Sequence, residues 1–167
     1  MAFRALLLAS ALILGAAPLA GCGFTPLYAA PGVAPGMSAI QVVAPEGRIG
    51  VLLRESLDDA LAHRPDAPAA YRLEIVYDAT RTPLGLRVDD VARRYQVTLA
   101  VQYTLTDTAT GQIARQGRAT SFVSYDVADQ PYAAIAARQD VQQRAADEVA
   151  RRIHLDLAQW FVDRSRG

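Results

Sequence analysis

Cys22 is the only cysteine of the 167-residue chain, and it follows Leu19, Ala20 and Gly21. That order has the form of a lipobox, where a bacterial secreted precursor is acylated on the cysteine and cut just before it. A lone thiol cannot close an internal disulfide, and alone it cannot build a cysteine-rich metal site. The leader agrees: Arg4 is the single charge before Cys22, and Ala5 to Ala17 make a 13-residue apolar stretch ahead of Pro18. A spanning helix needs roughly 20 apolar residues, so this stretch reads as a cleaved signal peptide. The alternative is an ordinary secretory signal cut after Ala20, which leaves Cys22 a free thiol. An acylated Cys22 carries two or more chains, and at about 0.8 kcal/mol per buried methylene these anchor the protein stably.

The second group able to do chemistry is the segment 81–94. It holds Arg81, Arg87, Arg93 and Arg94 against Asp89 and Asp90. Guanidinium forks match phosphate and carboxylate bidentately, so arginines gathered at one end of a sheet would suit an anionic glycolipid. The plainer reading is surface arginines paired with Asp89 and Asp90. Arg115 and Arg118 are weaker candidates. All 17 basic residues are arginine, balanced by 17 acidic ones. That balance argues against a general nucleic-acid binder and makes any anion recognition local. The two histidines, His63 and His154, fall beside a helix end and an apolar stripe, where structural roles are expected. No Gly-x-Ser-x-Gly elbow, P-loop or Gly-x-Gly-x-x-Gly is present. No enzyme activity, metal or cofactor is expected beyond the lipid on Cys22.

The elements that would position these residues follow from periodicity. Residues 1–21 form the signal peptide. Residues 22–38, with two Pro-Gly pairs, read as the lipidated N-terminus and a flexible tether, and 39–167 as one domain. Ile40 to Val43 is a short strand. Ile49 to His63 is a helix with Ile49, Leu52, Leu53, Leu57, Ala60 and Leu61 on one face. Tyr71 to Thr80 alternates as a half-buried strand, and Thr82-Pro83-Leu84-Gly85 signals a loop. A long strand presents Tyr95, Val97, Leu99, Val101, Tyr103 and Leu105 on one side and Gln96, Thr98, Gln102 and Thr104 on the other. Asp107 to Gly111 is a hairpin turn, and Gln112 to Val127 returns with weaker alternation. From Pro131 to Phe161 the pattern is helical. The expected fold is α+β, order β-α-β-β-β-α, with two helices packed on one face of a four-stranded sheet and a Thr/Gln-rich face opposite.

At this level the chain resembles a known family. Cys22-Gly23-Phe24-Thr25-Pro26-Leu27-Tyr28 is similar to the mature N-terminus of the lipopolysaccharide-assembly lipoprotein family LptE, particularly its alphaproteobacterial branch. The likeness continues through Leu84-Gly85-Leu86, Arg93-Arg94-Tyr95, Tyr103-Thr104-Leu105-Thr106-Asp107, Ser124-Tyr125-Asp126-Val127 and Tyr132 to Ala137. The resemblance implies an outer-membrane lipoprotein that sits one-to-one inside a large β-barrel translocon of the LptD type. It would help that barrel assemble and assist lipopolysaccharide delivery to the outer leaflet, without catalysis. Lipopolysaccharide binding through basic residues is also implied; Arg81, Arg87, Arg93 and Arg94 are the candidates chosen from this chain. Gly23, in place of the Asp that retains many lipoproteins at the inner membrane, is compatible with outer-membrane sorting. Phe24, Leu27 and Tyr28 either rest at the bilayer interface or tuck into the domain or a partner. The competing expectation is a periplasmic auxiliary lipoprotein of an ABC-type phospholipid transport system.

Overall fold

The computed structural model describes residues 32–84, 94–127 and 130–166. Within them the elements are α1 (Val33–Ser38), β1 (Ile40–Val43), α2 (Arg48–Leu61), β2 (Tyr71–Pro83), β3 (Arg94–Asp107), β4 (Ile113–Asp126) and α3 (Pro131–Arg166). The sheet order is β1-β2-β3-β4. β1 runs parallel to β2, with α2 as the crossover, and the other neighbours are antiparallel. The expected α+β sandwich is thus recovered, with one short helix added in front.

Alternation decides which side of the sheet is dry. Leu73, Ile75, Leu99, Val101, Leu105 and Ala119 share one face through the β2–β3–β4 register, and all are buried. Leu53, Leu57 and Leu61 of α2 and Val149, Ile153 and Leu157 of α3 close over them in a single core. Alanines at 145, 146, 150 and 158 are all buried on α3 and let its backbone lie close to the sheet. The fully buried hydroxyl of Ser121 is satisfied there: Ser121 Oγ donates to the Ala145 carbonyl at 3.0 Å. The two helices are also linked at their surface, where Ser56 Oγ donates to Asp147 Oδ1 at 2.8 Å. The opposite sheet face, carrying Thr80, Gln96, Thr98, Gln102, Thr104 and Gln116, packs against none of the described helices.

Three local expectations need correction. The stretch read as a flexible tether is helical from Val33 to Ser38. Val33 and Met37 are buried in the core, and Gly36 approaches Phe161 so closely that a Cβ would lie 2.6 Å from its ring. Tyr71, Trp160 and Phe161 meet edge-on beside α1. The loop expected at Thr82 and Pro83 is instead the end of β2, paired as far as Pro83 with Tyr95. The Leu84 amide donates to the Arg94 carbonyl at 2.8 Å, so the nitrogen of Pro83 faces the outer edge. There a missing N–H costs nothing, because β1 covers β2 only from Tyr71 to Glu74. Finally, α2 stops at Leu61, before His63. Ala62 turns left-handed at φ 51°, and the Ala62 and His63 amides close on the Asp59 and Asp58 carbonyls, a helix stop ahead of Pro65.

The hairpin forms where expected. Gly111 has φ 69°, and Asp107 Oδ1 accepts from the amides of Ala109 and Thr110. The weaker alternation of β4 has two causes. The register shifts between Leu105 and Thr106, and Gly117 replaces a side chain where the ring of Tyr103 crosses the strand.

The tightest backbone approach is in α2, where a methyl on Gly50 would overlap the Pro45 carbonyl oxygen. A backbone oxygen cannot swing aside as a side chain can. Gly50→Ala is therefore expected to lower stability by about 2 kcal/mol, several degrees in Tm. Neighbouring Val51→Ala, at a site 41% exposed, should change it by about 0.5 kcal/mol or less. Thermal melts of both variants check this.

Candidate functional site

The sheet end formed by the last turns of β2 and the first of β3 carries a cleft of about 160 Å³ against α3. Its apolar lining includes Ile49, Val97 and Val141, and its cations are Arg81 and Arg138. Arg81 points to the helix side because it follows Leu73, Ile75 and Tyr77 in the alternation of β2. Its guanidinium carbon lies 3.6 Å from the ring centroid of Tyr95 and 5.8 Å from that of Tyr125. Those two rings stack across β3 and β4 with centroids 6.0 Å apart. A guanidinium over an aromatic ring is held by cation–π attraction. Gln142, also lining the cleft, accepts a hydrogen bond from Arg48 Nε at 3.1 Å. No carboxylate lines the cleft among the described residues.

Of the four arginines singled out in the sequence, Arg81 and Arg94 fall in the described residues, while Arg87 and Arg93 lie outside them, as does Cys22. Arg81 and Arg94 share one end of the sheet but sit on opposite faces. Arg94 is matched bidentately to Asp126, at 2.8 and 3.2 Å; that pair raises the arginine and lowers the carboxyl from their ordinary pKa values. What the fold brings to Arg81 is Arg138, from the second turn of α3, which no local pattern in the sequence linked to β2.

A second polar cluster ties the sheet to α3 at the other end. The Tyr103 hydroxyl donates to Asp156 Oδ2, and Arg115 donates to Asp156 through Nε at 3.1 Å and Nη2 at 2.7 Å. Burial, with the Asp156 carboxylate beside it, pushes the Tyr103 phenol well above its ordinary pKa. Burial alone would raise Asp156, but hydrogen bonds from Arg115 and Tyr103 carry it below the usual carboxylate value. A phenol held protonated and a carboxylate held ionised form a structural clasp, not an acid–base pair poised near neutrality. Arg115, a weak anion candidate from sequence, is spent here. His154 sits between α2 and α3, where burial lowers its pKa against a backbone hydrogen bond at Ala60 that raises it. Among the described residues no group of His, Cys, Asp and Glu is arranged to hold a metal, and no helix is long and apolar enough to cross a membrane.

The described residues thus form a two-layer α+β sandwich with one polar sheet face and a cationic cleft lined by Arg81, Tyr125 and Arg138. Comparison with known proteins carries this further. The family model described as LptE, lipopolysaccharide-assembly, matches residues 37–157, and the chain belongs to that family. It is similar to a candidate lipoprotein of Caulobacter crescentus CB15 of known crystal structure. That similarity is 52% identity, with TM-score 0.71, over 80% of this chain and 97% of that one. A minor lipoprotein of Acinetobacter baumannii shares the fold at 16% identity and TM-score 0.53, over 72% of this chain and 88% of that one. No curated protein matches the chain.

The clasp yields a signed expectation. A carboxyl whose folded pKa is depressed stabilises the fold above its unfolded value and loses that contribution as pH falls through the folded one. Asp156→Asn should cost about 1 kcal/mol at pH 7, a modest value because the pair is partly exposed. The gap between native and variant should close below about pH 4. Urea melts across pH 3–7 measure it.

Proposed function

We propose that this chain is an outer-membrane lipoprotein, anchored through acylated Cys22, that occupies and helps assemble a lipopolysaccharide-translocating β-barrel. The observation that carries this reading is the family match across residues 37–157, joined to the lipobox that precedes it. The uncovered sheet face supports it. The lumen of a large barrel is polar, and a domain held there needs shape and hydrogen-bonding complementarity over a broad surface rather than a catalytic pocket. The Thr and Gln rows offer donors and acceptors that do not depend on charge. Val76, Ile113 and Phe122, all about 60% exposed, stand among them as apolar surface for a partner to cover.

In this reading the acyl chains hold the domain at the inner leaflet of the outer membrane. Arg81, with Arg87 and Arg93 further along the sequence, engages anionic groups of lipopolysaccharide, whereas Arg94 is matched to Asp126. Assembly and delivery are then non-covalent, and the chain needs no cofactor.

Pull-down from native membranes in mild detergent, with a C-terminal tag, is expected to recover a large outer-membrane β-barrel in equal amount. Recovery of inner-membrane transporter subunits without a barrel would overturn this in favour of an auxiliary transport lipoprotein. Phe122→Glu should reduce barrel recovery several-fold while leaving Tm nearly unchanged, since the ring buries little in the free domain. Cys22→Ala should move the protein from membranes to the soluble periplasm on fractionation, less completely where the barrel retains it.

A further inference from the structure

We propose that the segment just after Cys22 folds back onto the domain, seating Leu27 and Tyr28 in the cleft where α1 meets the C-terminal end of α3. The seating is a property of this chain alone and does not depend on which partner the domain has. Its consequence at the membrane rests on the reading of Cys22 as the acylated anchor.

The cleft selects a side chain as its occupant. Gly32, Gly36, Tyr71, Phe161, Arg164 and Ser165 line about 260 Å³ of space. That is below the roughly 300–1,000 Å³ of sites that enclose a whole small molecule, and it suits a side chain or two. Rings and glycines make the walls. Tyr71 meets Phe161 edge-on with centroids 5.5 Å apart, and Gly32 and Gly36 present no side chain. The polar groups are engaged on the spot. Arg164 donates to the Tyr71 hydroxyl at 3.4 Å and lies 5.4 Å from the Trp160 ring. Ser165 Oγ donates to the Val162 carbonyl at 2.7 Å. What enters therefore gains apolar and ring contact rather than a counter-ion.

Chain continuity names the occupant. Gly32 is both a wall of the cleft and the point where the described chain begins. Val33 and Met37, which follow it, are buried in the core, so the entry point is pinned beside the cleft. The ten residues from Cys22 to Pro31 (31 − 21 = 10) carry no charge, and Phe24, Leu27 and Tyr28 are their bulky apolar members. Tyr28 stands four positions ahead of Gly32, and four residues span at most about 14 Å. A link this short presents the segment to the cleft at an effective concentration on the order of millimolar, so even a weak apolar contact is occupied. Seating Leu27 leaves five residues, 22–26, between the acyl chains and the seat. Their reach is about 17 Å, against about 35 Å for all ten. The α1 pole of the domain is thereby held close to the membrane instead of swinging on the full segment.

The test uses the mature acylated protein in mild detergent. Acylation consumes the thiol of Cys22, the only cysteine of the chain, so two introduced cysteines report on each other alone. Tyr28→Cys with Ser165→Cys should form a disulfide at least about ten-fold faster than Tyr28→Cys with Asp163→Cys. Positions 163 and 165 stand about 200° apart around α3, so nearness in sequence favours neither. Adding Leu27→Ser should erase the preference. A second readout leaves position 28 native. Trp160 is the only tryptophan, and its ring centroid lies 5.9 Å from that of Tyr71. Leu27→Ser should red-shift its emission and increase its quenching by acrylamide. Equal cross-linking rates overturn the seating, as a segment lying in the bilayer interface would give. Trp160 emission and quenching unchanged by Leu27→Ser overturn it as well. A cross-linking preference that appears only when a barrel copurifies makes the seat dependent on a partner and overturns the proposal. If the cross-link forms as expected while Cys22→Ala protein stays in membranes, the seating stands and the anchor reading falls; release of Cys22→Ala with no cross-linking preference reverses that outcome.

Discussion

The seating of α3 on the inward face of β3 and β4 is the contact on which the rest depends. Its buried stripe runs from Val141 to Val162 and is unusually rich in alanine. Small side chains bring the helix axis close to the sheet, close enough for Ser121 to reach a helix carbonyl and for Asp156 to meet both Tyr103 and Arg115. α1 and α2 then pack against a surface that α3 has already completed, α1 through Phe161 and α2 through its leucine face. A larger residue at Ala145 or Ala146 would lift the helix and loosen every one of these contacts together.

One-sided burial is the price of this arrangement. Both helices cover the same face, so the other side of the sheet keeps its hydrogen-bonding side chains in the open. Among the described residues, no strand pairs with the outer edge of β4, with that of β1, or with β2 beyond Glu74. Proteins that live alone usually guard such edges. Here the unpaired stretch of β2 and the polar face adjoin.

Periodicity made the framework legible. The leucines of α2, the alternation of β3 and the turn at Gly111 each carry a strong local signal, and each element formed where its residues pointed. α1 was hidden because two Pro-Gly pairs dominate its neighbourhood, while its only core residues, Val33 and Met37, stand one helical turn apart and show no repeat. The reach of β2 to Pro83 depends on which edge its neighbour leaves open, a property of sheet topology and not of the dipeptide. The cleft was half legible. Arg81 belongs to a visible cluster of arginines, but face assignment separates it from Arg94. Arg138 lies 57 residues further along the chain (138 − 81) in a helix already rich in charge. Only the packing of α3 brings the two together.

The long helix also has an uneven footing. Of its 36 residues, none before Val141 is buried, and Tyr132 and Ile135 are 88% and 53% exposed. Hydrogen bonds in those first turns are protected by the helix alone, whereas those from Ala145 onward are protected by the whole core. Opening free energy is therefore graded along a single element, from near zero in the first turns to the global value in the buried stretch from Ala145 to Val162. Arg138 stands in the weakly held part, one turn from where protection begins. A contact that holds Arg138 would therefore stiffen the turns that the helix alone protects, with no change in the rest of the domain.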